Sequence, residues 1–78
     1  MNTQILLPNL GTPDVTVSVW FAGVGDRVYE GDRLLEVLLG AATFDIEAPA
    51  TGTLVERWAE PGDRLKVGQI LGIVAGDE

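Results

Sequence analysis

The chain has 78 residues, with twelve acidic and five basic side chains for a formal net charge of −7, and it contains neither cysteine nor histidine. Disulfides, Cys- or His-based catalytic triads and histidine metal sites are therefore excluded, and no calcium-loop motif is present, so no metal is predicted. An acidic surface repels phosphate backbones and anionic lipids, which disfavours nucleic-acid and membrane partners. The sequence predicts one acidic domain over residues 1–78, located in the cytoplasm, that is not an enzyme.

The first half of the chain predicts extended segments. Ile5 to Leu7 form a short apolar run closed by a proline. From Val15 to Phe21, every second residue is apolar, and this period of two predicts a strand with Val19 and Phe21 on the inner face and Trp20 on the outer face. Trp20 is then expected to cover an edge of the core. Another apolar run precedes the middle of the chain.

The second half predicts strands of the same kind. The candidate strands are 43–46, 54–55 and 70–74. Ten glycines and four prolines divide the chain at spacings too short for a helix. The prediction is an all-β domain of short strands and many turns.

The two halves repeat each other at an offset of 37 residues. The segment TVSVWFAGVGDRV, which begins at Thr16, aligns with TLVERWAEPGDRL, which begins at Thr53. The match is imperfect, since Val19 aligns with Glu56. Solenoids need at least three repeats, so two copies predict halves that pack face to face about a pseudo-two-fold axis.

The order of these motifs resembles that of the lipoyl/biotinyl carrier domains. In the first half the matching segments are Pro8-Asn9-Leu10-Gly11, Trp20, Gly25-Asp26-Arg27-Val28 and Glu30-Gly31-Asp32. In the second half they are Ile46-Glu47-Ala48-Pro49-Ala50-Thr51-Gly52-Thr53, Pro61-Gly62-Asp63 and Val67-Gly68-Gln69. The resemblance covers nearly the whole chain. It implies a flattened β-barrel, or barrel-sandwich hybrid, of two four-stranded antiparallel sheets with pseudo-two-fold symmetry.

In that family, the halves meet at a hairpin whose tip presents a lysine for acylation by lipoate or biotin. The surrounding motif is Asp-Lys-Ala in lipoyl domains and Met-Lys-Met in biotinyl domains. A gap-free alignment places Gly40 at the aspartate and Ala41 at the lysine. Neither neighbour of Ala41 is methionine, which favours lipoyl ancestry. The attachment position is thus predicted to be Ala41, flanked by Leu39, Gly40 and Ala42, with no catalytic residue and no bound cofactor.

Other residues have structural interpretations. Lys66 is the only lysine, and we expect it to be a solvated side chain that lies away from the hairpin. The three Gly-Asp-Arg triplets are explained by turn chemistry. Asp45 and Glu47 share a strand face, but a barrel of this size offers little room for a catalytic cleft.

The resemblance and the alanine together predict a lipoyl/biotinyl-like domain without the modifiable lysine. It would be a non-carrier docking or scaffold module whose protein partners are components of a 2-oxo-acid dehydrogenase or carboxylase complex. Leu38 and Leu39 at the apolar tip are a candidate surface for weak self-association. Two alternatives remain, namely an engineered, unmodifiable form of a true lipoyl carrier and a stand-alone protein-interaction module.

Overall fold

The computed structural model describes residues 1–77 and folds them into eight β-strands. In chain order these are β1 (Asn2–Leu6), β2 (Val15–Trp20), β3 (Arg27–Val28), β4 (Arg33–Leu39), β5 (Ala42–Glu47), β6 (Gly52–Arg57), β7 (Arg64–Leu65) and β8 (Ile70–Ala75). Glu78, the last residue of the predicted 1–78 domain, lies outside the described residues. Within residues 1–77 no helix is long and apolar enough to cross a membrane.

The strands form two four-stranded sheets in which every pairing is antiparallel. One sheet has the order β1-β8-β6-β3 and the other has the order β5-β4-β2-β7. Exchanging each strand of the first half with its counterpart in the second half (β1 with β5, β2 with β6, β3 with β7 and β4 with β8) converts one order into the other. The prediction of two antiparallel four-stranded sheets with pseudo-two-fold symmetry is confirmed.

The symmetry extends to individual hydrogen bonds that cross between the halves. The N–H of Gly25 donates to the C=O of Leu54 (2.8 Å), and the N–H of Gly62 donates to the C=O of Val17 (2.9 Å), each residue shifted by 37 from its counterpart. At one end of the molecule the N–H of Gly76 donates to the C=O of Met1 (2.7 Å). The first residue and the end of β8 therefore meet at the position that corresponds to the β4–β5 turn in the other half.

The predicted inner face of β2 is wrong after its first three residues. The pairing of β2 with β4 shifts between Val17 and Val19, which leaves Ser18 as an extra residue in a β-bulge. A bulge changes which side chains point inward, so Trp20 is 9% exposed whereas Val19 and Phe21 are 41% and 45% exposed. Trp20 belongs to the core and does not lie on the outer face.

The core lies between the sheets and contains both copies of the repeat. Its largest completely enclosed side chains are aliphatic, namely Ile5, Leu7, Val15, Val17, Leu34, Leu35, Val37, Leu54, Leu71 and Val74. Trp20 also belongs to the core, and its indole N–H donates to the buried C=O of Ala59 (2.8 Å). The guanidinium of Arg57, the pseudo-symmetric counterpart of Trp20, lies 5.0 Å from the centre of the indole ring. A cation–π contact thus joins the two halves near the axis.

A bidentate ion pair between Asp77 and Arg27 joins the end of the described chain to β3. The two N···O distances are 2.6 and 2.7 Å, and hydrogen bonding to Arg27 lowers the pKa of the Asp77 carboxyl. A carboxyl with a lowered folded-state pKa stabilises the fold above its unfolded-state pKa, and this contribution is lost as the pH falls through the folded-state pKa. Both side chains are about half exposed, so the effect on stability is small.

We expect an NMR pH titration to place the Asp77 carboxyl midpoint below that of an ordinary aspartate. Replacing Arg27 with glutamine should return the midpoint to the ordinary range, because the charged hydrogen-bond donors are removed. The same titration of an Arg64→Gln variant, which breaks the Arg64–Asp14 pair instead, is the control. An Asp77 midpoint that does not respond to Arg27→Gln would contradict this assignment.

Candidate functional site: the turn between β4 and β5

The turn between β4 and β5 is a two-residue hairpin loop. Leu39 is paired with Ala42, so Gly40 and Ala41 are the two central residues. Gly40 has φ = +67°, whereas Ala41, like every non-glycine residue described, has a φ that is not positive. A positive φ at the first central position only is typical of a type II′ turn, which strongly prefers glycine there. The turn is therefore short and glycine-based, without the polar residues of longer loops.

The leucines before the turn point to opposite faces of the sheet. Leu39 is opposite Val15 and packs against the core, whereas Leu38 is opposite Thr16 and Thr43 and is 37% exposed. Strand alternation thus separates the two side chains. They do not form one apolar patch, so the predicted self-association surface is reduced to Leu38.

The side chains at the turn do not fit an amide-linked lipoyl or biotinyl group. Such a linkage needs a primary amine, and the exposed Ala41 ends in a methyl group. The tip from Leu38 to Thr43 contains no charged side chain. This turn therefore offers no side-chain amine for acylation.

Lys66 lies outside the hairpin, as expected, but at the same end of the sheet. Val15 is paired with Leu39 on one side and with Leu65 on the other, so Lys66 emerges at the same end of the sheet as the turn. Two strand spacings, or about 10 Å, separate β7 from β4. The amine is exposed, and the Lys66 backbone N–H donates to Oε1 of Gln69 (2.9 Å) in a separate turn.

The Gly-Asp-Arg triplets form turns, as the sequence predicts. Each aspartate accepts a hydrogen bond from the backbone N–H three residues earlier: Gly23 to Asp26 (2.8 Å), Tyr29 to Asp32 (3.0 Å) and Glu60 to Asp63 (2.9 Å). These carboxylates are thus used within the fold. Asp45, by contrast, lies on β5 and is 3.3 Å from a guanidinium nitrogen of Arg33.

A groove beside β5 was missed in the sequence. It has a volume of about 510 Å³ and lies between Leu6 and Pro8 on one side and β5 on the other. On β5 it is lined by the apolar residues Phe44 and Ile46 and also by Asp45 and Glu47. No motif marks it, because β1 and β5 are far apart in the chain and belong to different sheets. Only the exposed apolar residues Leu6 and Phe44 could have suggested it.

Comparison with protein families gives a match to the biotin/lipoyl model, described as "Biotin-requiring enzyme", over residues 3–74. Among curated proteins, the chain is 34% identical over 76 residues to the dihydrolipoyllysine-residue succinyltransferase component of the 2-oxoglutarate dehydrogenase complex of Bartonella vinsonii. It is 31% identical over 70 residues to the lipoamide acyltransferase component of the branched-chain alpha-keto acid dehydrogenase complex of Bacillus subtilis. These alignments cover 95% and 87% of this chain but only 18% and 16% of the two relatives.

Among solved structures, the fold is similar to the lipoyl domain of the 2-oxoglutarate dehydrogenase complex from Azotobacter vinelandii. The TM-score is 0.76 at 23% identity, with 94% of this chain and 95% of that one covered. The likeness shows a shared fold over almost the full length of both chains. With the family match over residues 3–74, it means that the chain belongs to the biotin/lipoyl family of domains.

Proposed function

We propose that this chain is a lipoyl-type domain without the attachment lysine, which acts as a non-carrier docking or scaffold module. Its partners would be proteins of a 2-oxo-acid dehydrogenase type of complex, in the cytoplasm, and the domain would span residues 1–78. The observation that supports this most directly is Ala41 in the two-residue turn between β4 and β5. In the proposal this turn is the family's attachment turn, and its side chain offers no amine.

The relatives support the lipoyl side of the family over the biotinyl side. The names of the two relatives compared above include dihydrolipoyllysine or lipoamide and place those proteins in 2-oxo-acid dehydrogenase complexes. The chain spans less than a fifth of their length, so what it shares with them is a single domain. We transfer to this chain the ability to dock within such an assembly, and neither acyl transfer nor catalysis.

Intact-mass spectrometry after coexpression with a lipoate ligase and a biotin ligase tests the non-carrier role. We expect the unaltered chain to gain no mass, because Ala41 lacks an amine and Lys66 lies outside the turn. We expect the Gly40→Asp/Ala41→Lys variant to gain a lipoyl group. An Ala41→Lys variant provides a further comparison, since it keeps the glycine that the type II′ turn prefers.

Peptide mapping distinguishes the two amines. An adduct on the unaltered chain, mapped to Lys66 and abolished by Lys66→Arg, would overturn the non-carrier role and identify a displaced carrier site. If neither lysine variant is modified, the turn is no longer a ligase substrate. That result would contradict the alternative of an engineered form of a working carrier.

A further inference from the structure

The outer edge of β5 exposes backbone hydrogen-bonding groups. Among residues 1–77, β5 is the last strand of its sheet and is paired only with β4. The N–H of Ala48 donates to the C=O of Asp32 (2.7 Å), and the C=O of Ala48 accepts from the N–H of Gly31 (3.0 Å), so both groups point to the β4 side. Because this direction alternates along an antiparallel strand, Thr43, Asp45 and Glu47 direct their N–H and C=O groups away from the sheet.

The inner side of this edge is apolar. Phe44 is opposite Val37, whose side chain is completely buried, so Phe44 is on the core-facing side, yet it is 43% exposed. It borders the groove of about 510 Å³ whose other wall includes Leu6, itself 48% exposed. A groove of this size accepts side chains of a bound segment.

The outer side of the same edge is acidic. Strands β4 and β5 together contain three carboxylates and one guanidinium. Glu36 and Asp45 are directly opposite each other, an arrangement of like charges that destabilises a sheet. Arg33 is within 3.3 Å of Asp45 and compensates only part of this charge. A cationic side chain placed next to Asp45 and Glu47 would relieve the repulsion.

We infer that the β5 edge binds an extended segment of a partner protein in which basic and apolar residues alternate, as an added fifth strand of the β5-β4-β2-β7 sheet. Side chains directly opposite each other on paired strands share a face. Residues of the segment opposite Phe44 and Ile46 would therefore be apolar and enter the groove, and those opposite Asp45 and Glu47 would be basic. This inference rests on the proposed docking function and names its surface and the chemistry of its partner.

A second copy of this chain is a poorer occupant of the edge. Each copy has a net charge of −7, and pairing β5 with β5 would bring the acidic outer faces together. The carboxylates that protect the edge from self-pairing are the same groups that select a basic strand. Charge complementarity thus favours a basic segment.

An NMR titration of the ¹⁵N-labelled chain with the capped peptide Lys-Val-Lys-Val-Lys-Val-Lys tests the inference. At low salt and up to about 2 mM peptide, we expect saturable amide shifts centred on Thr43, Asp45 and Glu47, with slower hydrogen exchange there. The peptide with glutamate in place of every lysine should bind at least tenfold more weakly. In an antiparallel pairing, the lysines opposite Asp45 and Glu47 direct their backbone N–H groups toward β5. Backbone N-methylation of the lysines on either side of the central valine removes these donors, keeps the charges and should abolish binding.

Paired variants separate a specific edge from general attraction to an acidic protein. Asp45→Asn/Glu47→Gln should weaken binding about five- to tenfold. Asp14→Asn/Glu60→Gln removes the same charge from two exposed ion pairs outside β5 and should leave the affinity unchanged. Equal losses in both variants, shifts centred on another strand, retained binding of the N-methylated peptide or no binding of the lysine peptide would each overturn the inference.

The result is separable from that of the mass experiment. If the chain stays unmodified but does not bind the lysine peptide, the β5 binding surface is rejected and the non-carrier role is retained. If the chain is acylated on Lys66 and still binds the peptide at β5, the non-carrier role is rejected and the β5 binding surface is retained. Sedimentation at the concentrations of the titration must show a monomer, since a dimer formed through β5 would contradict the inference.

Discussion

Replacing Gly52 with alanine is expected to remove much of the stability of the fold. Gly52 is buried in β6, and a Cβ atom there would overlap the carbonyl oxygen of Ala75 and lie 3.1 Å from the Cα of Gly76. The obstructing atoms are backbone, so relief requires a shift of β8, the strand that β1 and β6 both pair with. We expect a loss of about 3 kcal/mol in the free energy of unfolding.

Urea unfolding followed by circular dichroism measures this loss. A domain of this size has a total stability of about 4–12 kcal/mol, so the variant is expected to be partly unfolded at 37 °C if the parent lies near the lower limit. The matched control is Gly23→Ala, whose Cβ would meet nothing nearer than Asp26 Oδ2 at 3.7 Å. The control should differ from the parent by less than about 1 kcal/mol. Equal urea midpoints for the two variants would contradict this prediction, because they would show that β8 shifts without a loss of stability.

Removing the indole of Trp20 is expected to cost about 3–5 kcal/mol, the usual range for a buried aromatic side chain. The substitution Trp20→Ala empties a site in the core and removes the donor to the C=O of Ala59, which is completely buried. It also removes the ring that the guanidinium of Arg57 contacts, and Nε of Arg57 is already buried without a hydrogen-bond partner among residues 1–77.

The second tryptophan supplies the control for this prediction. Trp58 is 53% exposed, and its indole N–H donates to the surface carboxylate of Glu56 (2.6 Å), so Trp58→Ala should cost less than about 1 kcal/mol. Trp20→Phe retains most of the side-chain volume, so its loss of unfolding free energy should lie between those of Trp20→Ala and Trp58→Ala. Urea unfolding by circular dichroism is suitable, since fluorescence would change with the number of tryptophans. Similar losses for both alanine variants would contradict the assignment of Trp20 to the core.

The two-sheet architecture was predictable from the resemblance to lipoyl/biotinyl domains, and the 37-residue offset predicted its pseudo-two-fold symmetry. The repeat alone suggested halves that pack face to face, whereas each half contributes two strands to each sheet. The two-residue strands β3 and β7 were not predictable individually, since two residues contain no period. They follow the Gly-Asp turns, whose role was predicted from local chemistry alone.

The inner face of β2 could not be read from simple alternation, because the bulge at Ser18 is not marked by glycine or proline. A weaker signal was present. Val19 aligns with Glu56 in the second copy, and both lie just after a bulge, at Ser18 and at Val55. A position occupied by glutamate in one copy faces solvent, so the mismatch itself indicated that Val19 points outward.

The position of the candidate site was predictable, but its surroundings were not. A gap-free alignment placed Gly40 and Ala41 between two strands, and both are the central residues of the turn. The proximity of Lys66 to that end depends on the pairing of β7 with β2, which no local pattern encodes. The groove beside β5 depends in the same way on the approach of two sheets.

The meeting of Met1 and Gly76 has a consequence for how the chain can be connected. The backbone nitrogen of Gly76 is 2.7 Å from the carbonyl oxygen of Met1, so a short linker could join the two ends. In the other half of the molecule, the β4–β5 turn occupies the equivalent place. A circular permutant that starts at Ala41 and ends at Gly40 would keep every strand pairing and exchange the roles of the two halves. The free amino group of such a permutant would then emerge from the β4–β5 turn, at the position proposed above as the attachment position.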